Sequence, residues 1–489
     1  MRSAPLVAAT AAAGVLLASC TLAPRYRRPA APVSGQWPEG AAAEAARAQA
    51  PGAAPADLGW RDVFGDPRLQ ALIALALENN RDLRVAALNV ELARAQYRIQ
   101  RSQELPTVGA TASATRQHLD ADVSPTGRAT TSTQYEVGAG VTAFELDLFG
   151  RVRSLKRSAL EQYLATEEAR RSAHLSLVAE VATQYLAARA LDDQIALARQ
   201  TLETLQSSYD LTRRSYDVGR TSELDLRTAE AQVLSARFNV AAYAQQREQA
   251  QNALVLLVGQ PLPAGLPAPE RLEAEPLLAE LPPGLPSELL QRRPDILGAE
   301  HALRAANASI GAARAAFFPS ITLTAFGGTA SGELSGLFGA GSGLWSFAPQ
   351  LSLPLFTGGR NRANLDAAEV RRSIEVARYE KAIQVAFREV ADALAARASL
   401  DEQLAAQTAR VEAEQRRYTI SDLRYRKGVD SYVTVLVAQR DLYAAQQQLI
   451  QSRLARLANL VSLYKALGGG WLERSAQAAA AAPAPSPAP

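Results

Sequence analysis

The sequence contains one long stretch twice. Residues 151–259 reappear at a constant offset of 209 with no gap: Glu180 matches Glu389, Leu191-Asp192 matches Leu400-Asp401, Tyr216 matches Tyr425, Gly219 matches Gly428, Ser222 matches Ser431 and Gly259 matches Gly468. A duplication held in register over that length builds one supersecondary unit twice. Within the first copy, apolar or small residues return every seventh position at Val181, Ala188, Ile195, Leu202, Tyr209 and Tyr216. A second series, Leu191, Ala198, Leu205 and Thr212, lies between them. This 3-4 alternation predicts a helix with a heptad seam. The pattern resumes from Leu226 through Ala229, Val233, Ala236, Val240 and Tyr243 to Leu257, with Arg247 as its one break. Gly219 suits the left-handed position that ends the first helix, and Ser222 suits the N-cap of the second. The first helix, expected over 152–216, would be about 95 Å long at 1.5 Å per residue. That exceeds the radius of a compact domain, so the helix must find neighbours along its length.

The net charge is +3, so bulk electrostatics give no pointer to nucleic acid. Cys20 is the single cysteine, which excludes an internal disulfide. The three histidines, His118, His174 and His301, are far apart, and no Walker loop or zinc-spaced cluster occurs. They read as surface or packing residues, with no metal, no cofactor and no enzymatic chemistry expected. Residues 1–19 read as a signal peptide, with Arg2 before an apolar run from Leu6 to Leu17 that is too short to span a bilayer. The run ends in Leu17-Ala18-Ser19-Cys20, which resembles a bacterial lipobox. That resemblance implies a covalent lipid on Cys20, and Thr21 in place of Asp implies sorting to the outer membrane. An ordinary secretory cleavage near Ala18 is the alternative. No other run of about 20 apolar residues exists, so any further membrane span must be β.

Two-residue periodicity appears in four places. Residues 105–116 alternate, with Val108, Ala110, Ala112 and Ala114 on one face. After a polar segment, Gln117 to Thr133, Tyr135, Val137, Ala139, Val141 and Ala143 repeat the pattern. In the second copy Ile321, Leu323 and Ala325 alternate. A glycine-rich loop, Gly327 to Gly343, leads to Leu351, Leu353 and Leu355. Helices are expected over 69–78, over 82–103 with Asp82 as its cap, and over 295–316. Each copy therefore reads helix, β-hairpin, long helix, turn, shorter helix. Two hairpins give four strands, too few to close a membrane barrel, and an open edge in lipid leaves backbone groups unsatisfied at several kcal/mol each. Either the chain shares a barrel with copies of itself, or the runs form a small soluble sheet.

Several motifs jointly resemble TolC-like outer-membrane efflux lipoproteins of the NodT subgroup. They are Cys20-Thr-Leu-Ala-Pro-Arg-Tyr-Arg-Arg-Pro29, Trp60 with Phe64-Gly-Asp-Pro67, Leu105-Pro106, Phe149-Gly150-Arg151, Arg292-Arg293-Pro294-Asp295-Ile296, Phe318-Pro319 and Leu355-Phe356 with Gly359-Arg360. The resemblance covers about residues 20–470. It implies a mainly α fold with a transmembrane β part: a homotrimer with a 12-stranded β-barrel in the outer membrane, continuous with a 12-helix α-barrel. The implied organisation is a signal peptide (1–19), a lipidated N-terminal and equatorial segment (20–66), a first repeat (67–259), an equatorial linker (260–286), a second repeat (287–468) and a disordered tail (469–489). The implied function is a passive exit duct of a tripartite pump, loaded by a periplasmic adaptor and an inner-membrane resistance-nodulation-division pump with drugs or other toxic solutes. A duct for type I protein secretion and a pore-less structural envelope lipoprotein are the alternatives.

By the same resemblance the turns at Gly219 and Gly428 are periplasmic tips. Val218, Gly219, Arg220, Ser222, Gly428, Asp430 and Ser431 are then candidates for adaptor docking. Family members often carry aspartates beyond the second tip, where this chain has Thr434 and Val437. The expectation is either an apolar constriction through Val433 and Val437, flanked by Arg440, or valines that only pack in the helical seam. Asp225 at the first tip keeps the family's more usual residue. Asp192 and Asp401 read as part of a solvated helix face.

Overall fold

In the computed structural model the described residues are 21–34, 57–269, 272–274 and 292–475. The expected signal peptide, Cys20, most of the linker and the end of the tail lie outside them. In chain order the elements are α1 (Trp60–Val63), α2 (Pro67–Asn79), α3 (Arg81–Ser102), β1 (Val108–Leu119), β2 (Thr130–Leu146), α4 (Arg151–Asp217), α5 (Glu223–Val258), α6 (Pro294–Ala315), β3 (Ser320–Ser331), β4 (Gly343–Ser352), α7 (Arg360–Arg426) and α8 (Tyr432–Ala466). Short 3-10 turns occur at Leu272–Ala274 and Leu334–Gly336. The order within each copy is the expected one. The long helices α4 and α7 have 67 residues each, about 100 Å at 1.5 Å per residue. No helix among the described residues is long and apolar enough to cross a membrane.

The chain divides into two compact units that cut across the two copies. One comprises Met1–Ala30, Asn89–Thr166 and Gly298–Glu380. It holds a four-stranded antiparallel sheet in the order β1-β2-β3-β4. The pairings are Val108↔Val141 to Leu119↔Thr130, Tyr135↔Ser331 to Leu146↔Ile321, and Ser320↔Ser352 to Thr329↔Gly343. A bulge between Val141 and Phe144 carries Ala143 at φ 52°. The extra residue returns Phe144 and Leu146 to the face that Val141 occupies.

Strand limits differ from those expected from alternation. β1 starts at Val108 and runs on through Gln117 and His118, which pair with Ser132 and Thr131. The connection between β1 and β2 therefore shrinks to 120–129. The ladder needs backbone groups rather than apolar side chains, so polar residues extend it. Gly327 and Gly328, expected in a loop, belong to β3: a Cβ on Gly328 would meet the Val137 carbonyl oxygen at 2.3 Å, so only glycine permits that approach. β4 ends at Ser352, before Pro354 and ahead of the expected Leu353 and Leu355. The cap of α3 is Asn80, whose Oδ1 accepts from Leu83 N at 2.9 Å, and Asp82 lies inside the first turn.

The other unit comprises Ala31–Leu88, Glu167–Leu297 and Lys381–Pro489. Its core joins Trp60, Phe64, Leu69, Leu72 and Ile73 with Val181, Tyr185 and Leu186 of α4, Val258 of α5, Leu272, Val390 of α7, and Val461, Leu463 and Tyr464 of α8. Asp66 caps α2 through Arg68 N and Leu69 N and accepts the Tyr185 hydroxyl proton. Residues 469–475 are folded, against the expectation of a tail disordered from 469. Leu472 O and Glu473 O accept from Trp60 N and Arg61 N, and Arg61 pairs with Glu473 at 2.6 Å. An Ala/Pro composition further along says nothing of Trp471 and Leu472, which are large apolar side chains with a partner surface.

Candidate functional site

Cross-strand partners share a face, so the register sorts the sheet's side chains. One face carries Val108, Ala110, Ala112, Val137, Val141, Leu323, Trp345, Phe347 and Leu351. The other carries Thr111, Ser113, Thr115, Gln134, Glu136, Thr322, Thr324, Ser346 and Gln350. Neither face is covered by the described residues: β1 is exposed along almost its whole length, and Trp345 is 81% exposed. Among the described residues the outer edges of β1 and β4 have no strand beside them. A sheet apolar on one side and polar on the other, with free edges, has the chemistry of a barrel segment whose outside meets lipid and whose inside meets water.

Beside the base of β3 the chain from Thr21 runs along α6. Leu22 O accepts from Arg314 Nη1 at 3.4 Å, Pro24 O accepts from Asn307 Nδ2 at 2.8 Å, and Arg28 pairs with Glu300 at 2.5 Å. Burial alone would raise the Glu300 carboxyl, but donation from Arg28, Tyr26 and Arg304 outweighs it and holds the group below the usual range. Burial and the same carboxylate push the Tyr26 hydroxyl up to about 12.

The two helical turns are built alike. Gly219 and Gly428 have φ +74° and +73°. Their amides donate to Tyr216 O and Tyr425 O at 2.8 Å, and the next amides reach Ser215 O and Arg424 O. The left-handed position expected at Gly219 is thus part of a Schellman closure, and glycine adopts such φ without strain. Side chains then diverge. At the first turn Ser222 Oγ accepts from Asp225 N at 3.2 Å, while Asp225 Oδ2 accepts from Ser222 N, Ser222 Oγ and Thr221 Oγ1. The Ser222 hydroxyl is the chief reason the Asp225 carboxyl lies below its ordinary range. At the second turn Ser431 makes no side-chain cap. Arg424 instead grips Asp430 with two bonds of 2.6 and 3.0 Å, which lowers the Asp430 carboxyl. Val218, Arg220 and Ser222 are exposed.

Beyond the second turn, Val435, Leu436, Ala438, Gln439 and Leu442 form the buried side of α8. Val433 is 54% exposed and Val437 half-buried, so both stand off that seam. Arg440 lines a cavity of about 60 Å³ with Leu205, Ala236 and Tyr443 and bonds Asp441 at 2.9 Å, whose carboxyl is thereby lowered.

Asp401 lies on a solvated face, as expected, whereas Asp192 is half-buried, and both also pair with the returning helix. Arg247 Nε donates to Asp192 Oδ1 at 2.8 Å, and Arg456 Nε donates to Asp401 Oδ1 at 2.6 Å. Arg247 and Arg456 stand at the same offset of 209, so the break in the apolar seam was the signal for the pair. The histidines differ from one another. His118 bonds Thr131 and Asp120, and His301 bonds Glu161 at 2.7 Å. Burial, with a smaller effect of Arg170, pushes His174 down to about 4. Among the described residues no group of three or more His, Cys, Asp or Glu could hold a metal ion.

Comparison with known proteins fixes what this arrangement belongs to. Residues 72–260 and 285–469 match the model of the outer membrane efflux protein family. The chain is 50% identical over 463 residues to the toluene efflux pump outer membrane protein TtgC of Pseudomonas putida, covering 95% of each. It is 46% identical over 457 residues to outer membrane protein OprJ of Pseudomonas aeruginosa, covering 94% of each. The solved open state of the Neisseria gonorrhoeae MtrE outer membrane channel superposes with a TM-score of 0.85 at 44% identity, covering 93% of this chain and 100% of that one. The fold is thus the TolC-like channel fold, located in the outer membrane and serving efflux. With two matched segments that coincide with its two copies, the chain belongs to the outer membrane efflux protein family.

Proposed function

We propose that three copies close into one exit duct, and that this duct serves a tripartite pump exporting aromatic solvents and antibiotics. The observation that carries the reading is the sheet with two uncovered faces and two free edges. Four strands leave edge amides and carbonyls unsatisfied in lipid, and a barrel removes those edges. Three chains supply twelve strands, within the range of membrane barrels. The duct has no chemistry of its own.

The solute class rests on relatives at 50% identity that are named a toluene efflux pump outer membrane protein and an antibiotic efflux pump outer membrane protein. A periplasmic adaptor and an inner-membrane resistance-nodulation-division pump complete the path. The exposed Val218, Arg220 and Ser222, with Asp430 and Ser431, offer the adaptor its docking surface around Gly219 and Gly428. Val433 and Val437, uncovered by their own helix seam, form an apolar constriction flanked by Arg440. Asp225 contributes as the cap that shapes the first tip. A lipid on Cys20 anchors the chain, and the path of Leu22 and Pro24 beside the end of α6, just before β3, supports that anchor.

Deletion of the gene tests the export reading. Loss of toluene tolerance and a several-fold fall in antibiotic resistance, both restored by the intact chain, are expected. An unchanged toxicity profile across solvents, antibiotics, dyes and metals would reject it. Cys20→Ser is expected to abolish acyl labelling.

A further inference from the structure

We propose that the polar face of the sheet carries a collar, formed by Glu136 and Phe326, that favours organic cations over anions. The inference rests on the duct reading above, in which this face lines the lumen. Along the four strands that face bears only two charged residues, Glu136 and Glu145. Glu145 is neutralised by Arg151, with bonds of 2.8 and 2.5 Å. Glu136 has no ion-pair partner among the described residues and stands between Ser113 on β1 and Ala330 on β3. Its same-face neighbours are hydroxyls, an amide and small residues, so its field is the only uncompensated one on the surface.

Phe326 is the aromatic member of the same face. It pairs with Gly140 and Ser346. A Cβ on Gly138 would come within 2.4 Å of Phe326 Cζ, and one on Gly140 within 3.2 Å of Cδ2. The ring therefore lies along the two glycines, with its tip over Gly138. Glu136 is the next same-face position on β2, about 7 Å further along the strand. An aromatic face beside a carboxylate attracts organic cations twice, through the ring quadrupole and through charge. Three chains place the pair three times around the lumen. In water such a field reaches about 10 Å at 0.1 M salt and about 3 Å at 1 M, so the preference belongs to low ionic strength.

Purified wild type, Glu136→Gln, Glu136→Lys and Phe326→Leu are compared in planar bilayers, with assembly checked by the oligomer band of the unheated sample. Under a KCl gradient near 0.1 M, the cation-to-anion permeability ratio is expected to fall about twofold in Glu136→Gln and further in Glu136→Lys, and to converge with wild type at 1 M. Phe326→Leu is expected to keep the potassium ratio and to lower the permeability of benzyltrimethylammonium relative to potassium about twofold. Conducting variants with unchanged ratios overturn the collar and leave the duct standing. Absence of any conductance in wild type overturns the duct reading itself.

Discussion

The two copies of the helical hairpin share a backbone and a ladder of matched positions, yet they solve the same local problems differently. Both end their long helix on a left-handed glycine, and both tie the long helix to the returning one through an Asp–Arg pair at the same offset. At the turn, the first copy uses a capping box of Ser222 and Asp225, whereas the second uses the Arg424–Asp430 clamp. In the long helix, the first copy has His174 where the second has Ile383, and in the ion pair Arg189 joins Asp192 where the second copy has Ala398. Backbone geometry is therefore held by glycine and register, while the polar chemistry around it is free to drift.

The largest expected effect separates His174 from Ile383. Burial, aided by Arg170, lowers the folded His174 to about 4, and its Nε2 is buried without a hydrogen-bond partner. The unfolded chain takes up a proton near pH 6.5 that the folded chain refuses until about 4. Stability is thus complete above the unfolded value and falls as pH drops between the two. At pH 5 the loss is about 2 kcal/mol. His174→Ile, which installs the second copy's residue, is expected to remove that acid sensitivity. Thermal unfolding in detergent at pH 7.5 and pH 5 measures it, and equal shifts in both proteins would break the contrast.

The ion pairs come next. Asp192 holds two arginines, and the Arg189 side chain is only 10% exposed. Asp401 holds Arg456 and is half exposed. Asp192→Ala removes one acceptor from each of two guanidiniums and is expected to cost about 2 kcal/mol. Asp401→Ala is expected to cost less than about 1 kcal/mol. Urea unfolding of the two variants side by side decides the order, and a larger loss from Asp401→Ala would contradict the structural difference.

This contrast also marks how far the sequence could be read. Heptads, Gly219, Gly428 and the 209-residue offset made the helices, their turns and their repetition legible, because each depends on local chemistry. Alternation found all four strands but misplaced their ends: Gln117 and His118 keep pairing without apolar side chains, and Gly327 and Gly328 pair because they are small. The partnership of Asp192 with Arg247 shows in the sequence only as a break in a seam, because periodicity within one helix carries no information on which residue faces it from the next. Resemblance supplied the channel, and nothing local in the helices distinguishes a duct wall from a structural coiled coil.

A smaller effect tests the first cap. Ser222→Ala removes the acceptor for Asp225 N and the donor to its carboxylate, at an expected cost of about 1 kcal/mol confined to the start of α5. The Asp225 carboxyl is held low chiefly by that hydroxyl, so this stabilisation is present above the ordinary carboxylate range and is lost as pH falls through the lowered value. Hydrogen exchange at residues 222–226 is the readout. Ser431→Ala at the second tip should leave exchange unchanged, because Ser431 makes no cap bond there.

The smallest effect comes from giving the second tip the chemistry of the first. Thr434 stands where the first copy has Asp225, and Ser431 Oγ lies 3.4 Å from Thr434 Oγ1. Thr434→Asp is therefore expected to form a capping box with Ser431 and to stabilise the start of α8 by about 0.5 kcal/mol. Its carboxylate would then be occupied by the Ser431 amide and hydroxyl and would change conduction little. Val437 lies beyond the first turn of α8, where the backbone amides already bond within the helix, and it stands off the buried seam. A carboxylate placed there by Val437→Asp has no cap to join. It is expected to raise single-channel conductance and cation preference more than Thr434→Asp does. Equal responses from the two variants would mean that position 434 meets the permeating ions as fully as position 437, and an unchanged Val437→Asp channel would remove the valines from the constriction.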